Sequence, residues 1–339
     1  MKRKRKASGT GGAGGGAEKA AIGERLPKRK AGAKRKGAAK RKAAAKEEVE
    51  PQEKGAGDEI DVEFDFCDPD EEDYHSVSGL LKSGTWEFLD LNFSELADSV
   101  VGQGNIGSLI KSDSSSGDSD KDATVSGMLT TLNLRQFAHL SWPKAIGTAL
   151  LERAKKHGGA AVAEKLQALL EAAAPRKGAS SGNSEKEVGL LLSERFINLP
   201  LELIPALHKA MKEDIDWSCE TPECPPEERP FYGFTHFLGV ARCQEAGPVG
   251  AASAEATGGG KKKRKQMAAP AAIEGGLIFE RPEDMAYARR ASWSFSFPLA
   301  VVEGRSGPKD RRFVFGITRK NWERAVAEVH ACLAEAEGA

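Results

Sequence analysis

Val188–Pro200 reads VGLLLSERFINLP, and the fold turns on how this stretch is read. Leu190, Leu191 and Leu192 are consecutive, so an extended chain here is apolar on both faces. Strands of that kind are covered on both sides, as in a layered α/β structure. Ser193, Glu194 and Arg195 follow as a polar knot, Phe196 and Ile197 return to the core, and Asn198 and Pro200 make a turn. The stretch predicts a central strand with its exit turn. Glu194 and Arg195 are expected to pair with each other for register, or to meet a partner where the strand reaches the surface.

Upstream, Val125–Leu134 and Ile106–Lys111 read as further strands. Trp142–His157 and Ala160–Ala172 read as helices broken at Gly158–Gly159. Asp73–Lys82 reads as a short helix, and Ser94–Gln103 as another with Ser94 as its N-cap. Downstream, Pro205 suits the first turn of a helix reaching about Asp214, and Trp217–Arg229 is Pro- and acid-rich loop. Phe231–Arg242 alternates, with Tyr232, Phe234, His236, Leu238 and Val240 on one strand face. Gly276–Glu280, Trp293–Ala300 and Arg312–Thr318 are strand-like, while Met285–Arg290 and Asn321–Glu335 are helical. The fold class is α/β (α+β), one mixed sheet flanked by helices.

The balanced charge of the chain hides a division. Residues 1–46 hold 17 Lys+Arg against Glu18 and Glu24, a balance of +15, so the remaining residues carry −15. Residues 1–57 form a low-complexity basic arm, expected to lack a packed core. Its clusters, Lys2, Arg3, Lys4, Arg5 and Lys6, then Lys28, Arg29 and Lys30, then KRK at 34–36 and 40–42, suit nuclear targeting through an import receptor. Residues 58–339 are expected to form a single domain with inserts at about 112–123, 174–186 and 244–274.

Asp58–Asp73 contains ten acidic residues and no Lys or Arg. Ile60, Val62, Phe64 and Phe66 alternate there with Asp61, Glu63 and Asp65, the pattern of a half-buried strand with a carboxylate face. Asp61, Glu63, Asp65, Glu194 and Arg195 are the candidate partner contacts. An acidic body repels nucleic-acid phosphates and favours a basic protein, with nucleic acid left at most to the arm. Serines in the Ser/Asp stretch, Ser115, Ser116 and Ser119, are candidate phosphate acceptors. No apolar run reaches the roughly 20 residues of a membrane span, and the first residues carry no apolar secretory signal. Five cysteines suggest reduced thiols.

Motifs for catalysis fail on context. Gly102, Gly104 and Gly107 spell GxGxxG, but after a helix and before a strand, the reverse of a dinucleotide site. Gln52, Gly55 and Gly57 spell the QxxGxG of acetyl-coenzyme A loops, but in a charged linker with no strand before it. Cys219, Cys224, Cys243 and His236 match no familiar zinc spacing. No Ser nucleophile sits in a GxSxG elbow, the string at 178–182 falling in the polar loop 174–186, and there is no HExxH and no isolated carboxylate pair, so neither enzyme activity nor a cofactor is expected.

GLLLSERFINLP (189–200) resembles the BCCIP family of nuclear proteins. VEFDF (62–66), IGSLIK (106–111), TTLNL (130–134) and LIFERPED (277–284) agree with it in order, over roughly Asp58 to Leu333. The resemblance implies a Gcn5-type acetyltransferase fold without a cofactor loop and without the activity. It implies a nuclear chaperone or adaptor for a basic client, a large-subunit ribosomal protein, acting in ribosome biogenesis and nuclear export. A scaffold in DNA repair and cell-cycle control, binding a recombination factor and a cyclin-dependent kinase inhibitor, is the alternative. An atypical acetyltransferase is a further one.

Overall fold

The computed structural model describes residues 41–42, 64–112, 124–174, 186–246, 272–273, 276–300 and 310–338. Asp61, Glu63, the clusters Lys2–Lys6 and Lys28–Lys30, and the serines 115, 116 and 119 lie outside the described residues.

Among the described residues, ten strands form one sheet. They are β1 (Arg41–Lys42), β2 (Phe64–Cys67), β3 (Ser108–Ser112), β4 (Thr124–Asn133), β5 (Val188–Arg195), β6 (His236–Glu245), β7 (Ala272–Ile273), β8 (Leu277–Phe279), β9 (Trp293–Pro298) and β10 (Asp310–Thr318). The main order is β1-β2-β3-β4-β5-β6-β10-β9, with β8 pairing β6 and β7 pairing β8. All these pairs are antiparallel except β5 with β6. The sheet is mixed and β5 is central, as its apolar run predicts.

Eight α-helices among the described residues cover the two faces: α1 (Tyr74–Ser83), α2 (Phe93–Val101), α3 (Ser141–Arg153), α4 (Ala160–Ala172), α5 (Leu203–Glu220), α6 (Arg229–Tyr232), α7 (Asp284–Arg290) and α8 (Arg319–Gly338). The strands divide their side chains between the two faces by alternation, interrupted by the irregularity in the β3–β4 pairing at Ile110/Lys111, which puts Val125 in the same core as Met128. Leu109, Met128, Leu190, Leu192, Leu238 and Val314 join the core under α1–α4. Ile110, Leu129, Leu191, Phe237, Phe313 and Phe315 join the core under α5–α8. Burying one such side chain is worth roughly 1.5–3 kcal/mol, so a slip of one residue in β5 would cost several of them at once.

Local readings needed correction where tertiary contacts decide. Asn92, not Ser94, caps α2, its Oδ1 accepting from the Glu95 N–H at 3.3 Å. Helix α5 runs on through Asp214 to Glu220, because Ile215 and Ser218 are buried. The Asp214 carboxylate accepts from the N–H of Gly107, which sits at φ 105 in the turn into β3. Tyr232 and Phe234 leave the predicted strand. Pro230 starts the turn of α6, and both aromatic rings enter the second core before β6 begins at His236. Helix α3 ends in a wide π turn, Ala154–Gly158, and Gly159 at φ 76 separates it from α4 where the sequence places the break.

Candidate functional site

Strands β5 and β6 pair in parallel over only three positions, Val188 with His236 through Leu190 with Leu238. Beyond them β6 takes β8 as its neighbour, Cys243 facing Phe279. The ends of β5 and β6 therefore part, and the segment following β8 enters the gap.

Two quoted motifs meet there. Arg281 donates to the Glu194 carboxylate at 2.5 Å and to the Ser193 carbonyl. Arg195 makes a two-pronged bond to Glu283, at 2.9 and 3.2 Å. SER of the central strand thus clasps ERPE of the segment after β8, each contributing one cation and one anion.

The expected pairing of Glu194 with Arg195 is corrected by the pleat. Successive side chains of a strand point to opposite faces. Glu194 shares the face of Leu190 and Leu192, and Arg195 that of Leu191. Nor does either lie open to a partner: Glu194 is 2% exposed, and the Arg195 side chain 6%. Of the other proposed contacts, Asp65 stands on β2 and is largely covered. Asp61 and Glu63 lie outside the described residues, and β3 and β4 separate Asp65 on β2 from Glu194 and Arg195 on β5.

Around the clasp most polar groups find partners, though Thr85 Oγ1, Arg242 Nε and Asp284 Oδ2 are buried without a hydrogen bond among the described residues. Glu194 also accepts from the Thr85 N–H at 2.7 Å, just after α1. The Thr85 carbonyl accepts from Arg312 of β10 at 2.9 Å. Arg312 and Arg242 share the Glu87 carboxylate, at 2.9 and 3.2 Å, and Arg242 reaches Glu280 at 3.3 Å. Gly84 belongs to this geometry, since a Cβ there would lie 2.4 Å from the Glu194 carboxyl carbon. Sequence reading missed Thr85, Glu87, Arg242, Arg281, Glu283 and Arg312. The charges of LIFERPED were the available signal, unread because their partners stand nearly ninety residues away.

Titration follows burial and neighbours. Burial alone would lower the Arg281 value; Glu194, Asp284 and Glu283 outweigh it and hold it above the ordinary range. Burial would raise Glu283, but Arg195 prevails and keeps it ionised. The next carboxyl, Asp284, is pushed up to about 8 by burial, with Glu283 and Glu194 opposing its charge. Asp284 is therefore neutral at pH 7, and four arginines stand against Glu87, Glu194, Glu280 and Glu283. Nearby, His208 bonds Tyr287 at 2.5 Å, and burial lowers its value to about 4.

Phe196 and Ile197 leave the clasp on the solvent side. The sequence reading sends them back to the core, yet they are 45% and 79% exposed, the large apolar side chains left open among the described residues. Phe196 N–H is tied to the Ser126 carbonyl at 2.9 Å, and the buried Leu199 closes the turn. The pair is held out from an anchored turn.

Among the described residues no group of three His, Cys, Asp or Glu is placed to hold a metal ion. Cys219 is exposed on α5, whereas Cys224 and Cys243 are buried. Burial pushes the Cys243 thiol up to about 12, against the thiolate a metal needs. No described helix is long and apolar enough to cross a membrane.

The chain is similar to several known proteins. Protein bcp1 of Schizosaccharomyces pombe is 31% identical over 186 residues, 55% of this chain and 57% of that protein. The BCCIP homolog of Arabidopsis thaliana is 26% identical over 251 residues, 73% of this chain and 65% of that protein. The human protein named BRCA2 and CDKN1A-interacting protein is 28% identical over 162 residues, 47% of this chain and 48% of that protein. The chain thus spans about half to two thirds of the length of these relatives. The crystal structure of BCP1 from Saccharomyces cerevisiae shares the fold, with TM-score 0.51 and 16% identity over 82% of this chain and 93% of that one. The BCCIP family model matches residues 59–287, which hold β2 through most of α7 and both halves of the clasp, and the chain belongs to the BCCIP family.

Proposed function

We propose that this chain is a nuclear, non-enzymatic chaperone or adaptor that shields a basic client, a large-subunit ribosomal protein, before assembly. The observation that carries the reading is the exposed pair Phe196 and Ile197 on a turn anchored by buried ion pairs. A rigid apolar pair is the form of an interface hot spot, since little side-chain and backbone freedom remains to be lost on binding. The surrounding chain carries −15 beyond residue 46, which steers a cationic partner and sets the encounter rate. The KRK clusters of the arm supply the import signal, and the import receptor is the second partner.

An atypical acetyltransferase would need room for acetyl-coenzyme A. Where β5 and β6 part, Arg281 pairs with Glu194 and Glu283 with Arg195, filling the gap, which favours the non-enzymatic reading. Calorimetry with acetyl-coenzyme A separates the two, and measurable binding would promote the enzyme. The scaffold reading draws support from the name of the human relative, BRCA2 and CDKN1A-interacting protein. It would use the same apolar turn.

The test is affinity capture with the tagged full chain at low salt, followed by mass spectrometry. Recovery of large-subunit ribosomal proteins by the unaltered chain, and their loss with Phe196→Asp/Ile197→Asp, supports the proposal. Equal recovery by both chains, or none by either, sinks it. Recovery of recombination or cell-cycle proteins instead would support the scaffold.

A further inference from the structure

On one side the sheet runs out through β3 to β2, which lies within the acidic stretch. A bare edge strand offers unpaired N–H and C=O groups to any extended chain. The β2 edge is not bare. Arg41–Lys42 lies along it antiparallel, Arg41 opposite Phe66 and Lys42 opposite Asp65. These two residues belong to the third KRK cluster of the basic arm, at 40–42. The other edge of β2 is taken by β3, Phe66 opposite Ile110, so the arm occupies the free one.

Three features distinguish this pairing from an ordinary terminal strand. First, the register sets a cationic residue opposite Asp65, and directly opposed unlike charges contribute roughly 0.2–1 kcal/mol. Second, β1 is only two residues long, so its hold is weak and a longer strand would outcompete it. Third, it comes from the +15 arm and lands on the −15 remainder of the same chain. A strand added to a sheet edge takes its affinity from main-chain hydrogen bonds and its specificity from alternate side chains. The β2 edge is built for an extended segment rich in Lys and Arg.

We propose that the β2 edge is the docking edge for such a segment, and that Arg41–Lys42 of the arm occupies it in cis as a stand-in for the client. Tethering gives the arm a high effective concentration at the edge. A client must displace it, so its apparent affinity is lowered by the fraction of chains in which the edge is free. Short or weakly basic segments are thereby rejected, while a long cationic strand prevails. The identity of the displacing client rests on the function proposed above; the occupancy by the arm does not.

Hydrogen exchange by mass spectrometry tests this on the full chain, compared with Lys40→Glu/Arg41→Glu/Lys42→Glu. The amides of Phe64–Cys67 are expected to exchange about tenfold faster in the variant, while those of β4 and β5 are unchanged. A peptide with the sequence of residues 34–46 should restore that protection and bind the variant about tenfold more tightly than the unaltered chain. Equal exchange in the two chains, or a peptide that binds both alike, overturns the proposal. No client is present in this experiment, so a failure of ribosomal-protein capture leaves its outcome standing, and the reverse holds too.

Discussion

Glu194 and Arg281 meet at 2.5 Å across 87 residues of sequence, both buried, in the gap where the parallel strands β5 and β6 separate. Their neighbours Arg195 and Glu283 repeat the exchange with the signs reversed, on the opposite face of the sheet. Two such pairs pin the segment between β8 and α7 into the sheet from both sides. The turn bearing Phe196 and Ile197 starts at the next residue, so its position depends on the clasp.

Breaking one pair leaves a buried charge without its partner. Arg281→Ala is expected to cost roughly 3–5 kcal/mol, because Glu194 then keeps only the Thr85 N–H. Glu194→Leu/Arg281→Leu should regain most of that loss, since a packed apolar pair needs no desolvated charge. Urea midpoints of the three chains check it. A single variant as stable as the unaltered chain would mean that water reaches the pair.

Gly84 faces a second demand of the same geometry. A Cβ there would lie 2.4 Å from the Glu194 carboxyl carbon and 2.6 Å from the Leu80 carbonyl oxygen, the latter a backbone atom that cannot swing away. Gly84→Ala should destabilise by roughly 1–3 kcal/mol. Gly104→Ala, with nothing within 4 Å, is the matched control and should stay within about 0.5 kcal/mol.

Asp284 makes stability depend on pH in an unusual direction. Its value rises from 3.8 to about 8 on folding, so the folded state holds a proton that the unfolded state has lost between those limits. Stability from this group is full below pH 3.8 and is lost as pH rises through about 8. His208 acts oppositely: its value falls from 6.5 to about 4, so its contribution is present above pH 6.5 and lost as pH falls towards 4. The two oppose each other between those values, and Asp284 alone acts from pH 6.5 to about 8. There the unaltered chain should lose up to roughly 1.4 kcal/mol per pH unit relative to Asp284→Asn. Denaturation of both chains from pH 6 to 9 reads the difference. A constant difference across that range would show the carboxyl to be ionised throughout.

The sheet was legible in the sequence because β4, β5 and β10 carry apolar runs too strong for any other reading, and the break at Gly158–Gly159 was legible from glycine chemistry. Tyr232 and Phe234 misled because alternation persists through a Pro230 turn that ends it physically. Asp214 misled because a carboxylate inside a helix looks like its end until Gly107 is found beside it. The site was half legible. SER stands out in the sequence as the polar end of a buried strand, and LIFERPED as one of the stretches that carry the family resemblance. Their union does not, because only the pleat separates Glu194 from Arg195 and only the fold brings Arg281 and Glu283 to them. Phe196 and Ile197 were assigned to the core by hydrophobicity, which does not reveal that a turn pinned at Ser126 and Leu199 holds them out.

The most direct test is fluorescence anisotropy between the purified full chain and individual large-subunit ribosomal proteins, at about 0.05 M and about 0.5 M salt, where screening differs severalfold in range. The expected result is at least one basic protein bound with micromolar or tighter affinity at low salt, weakened about tenfold by salt and about tenfold again by Ile197→Asp, a substitution that leaves the urea midpoint unchanged. Binding that ignores both the salt and the Ile197→Asp change, or no binding by any of them, would contradict a client held between an acidic body and an exposed apolar turn.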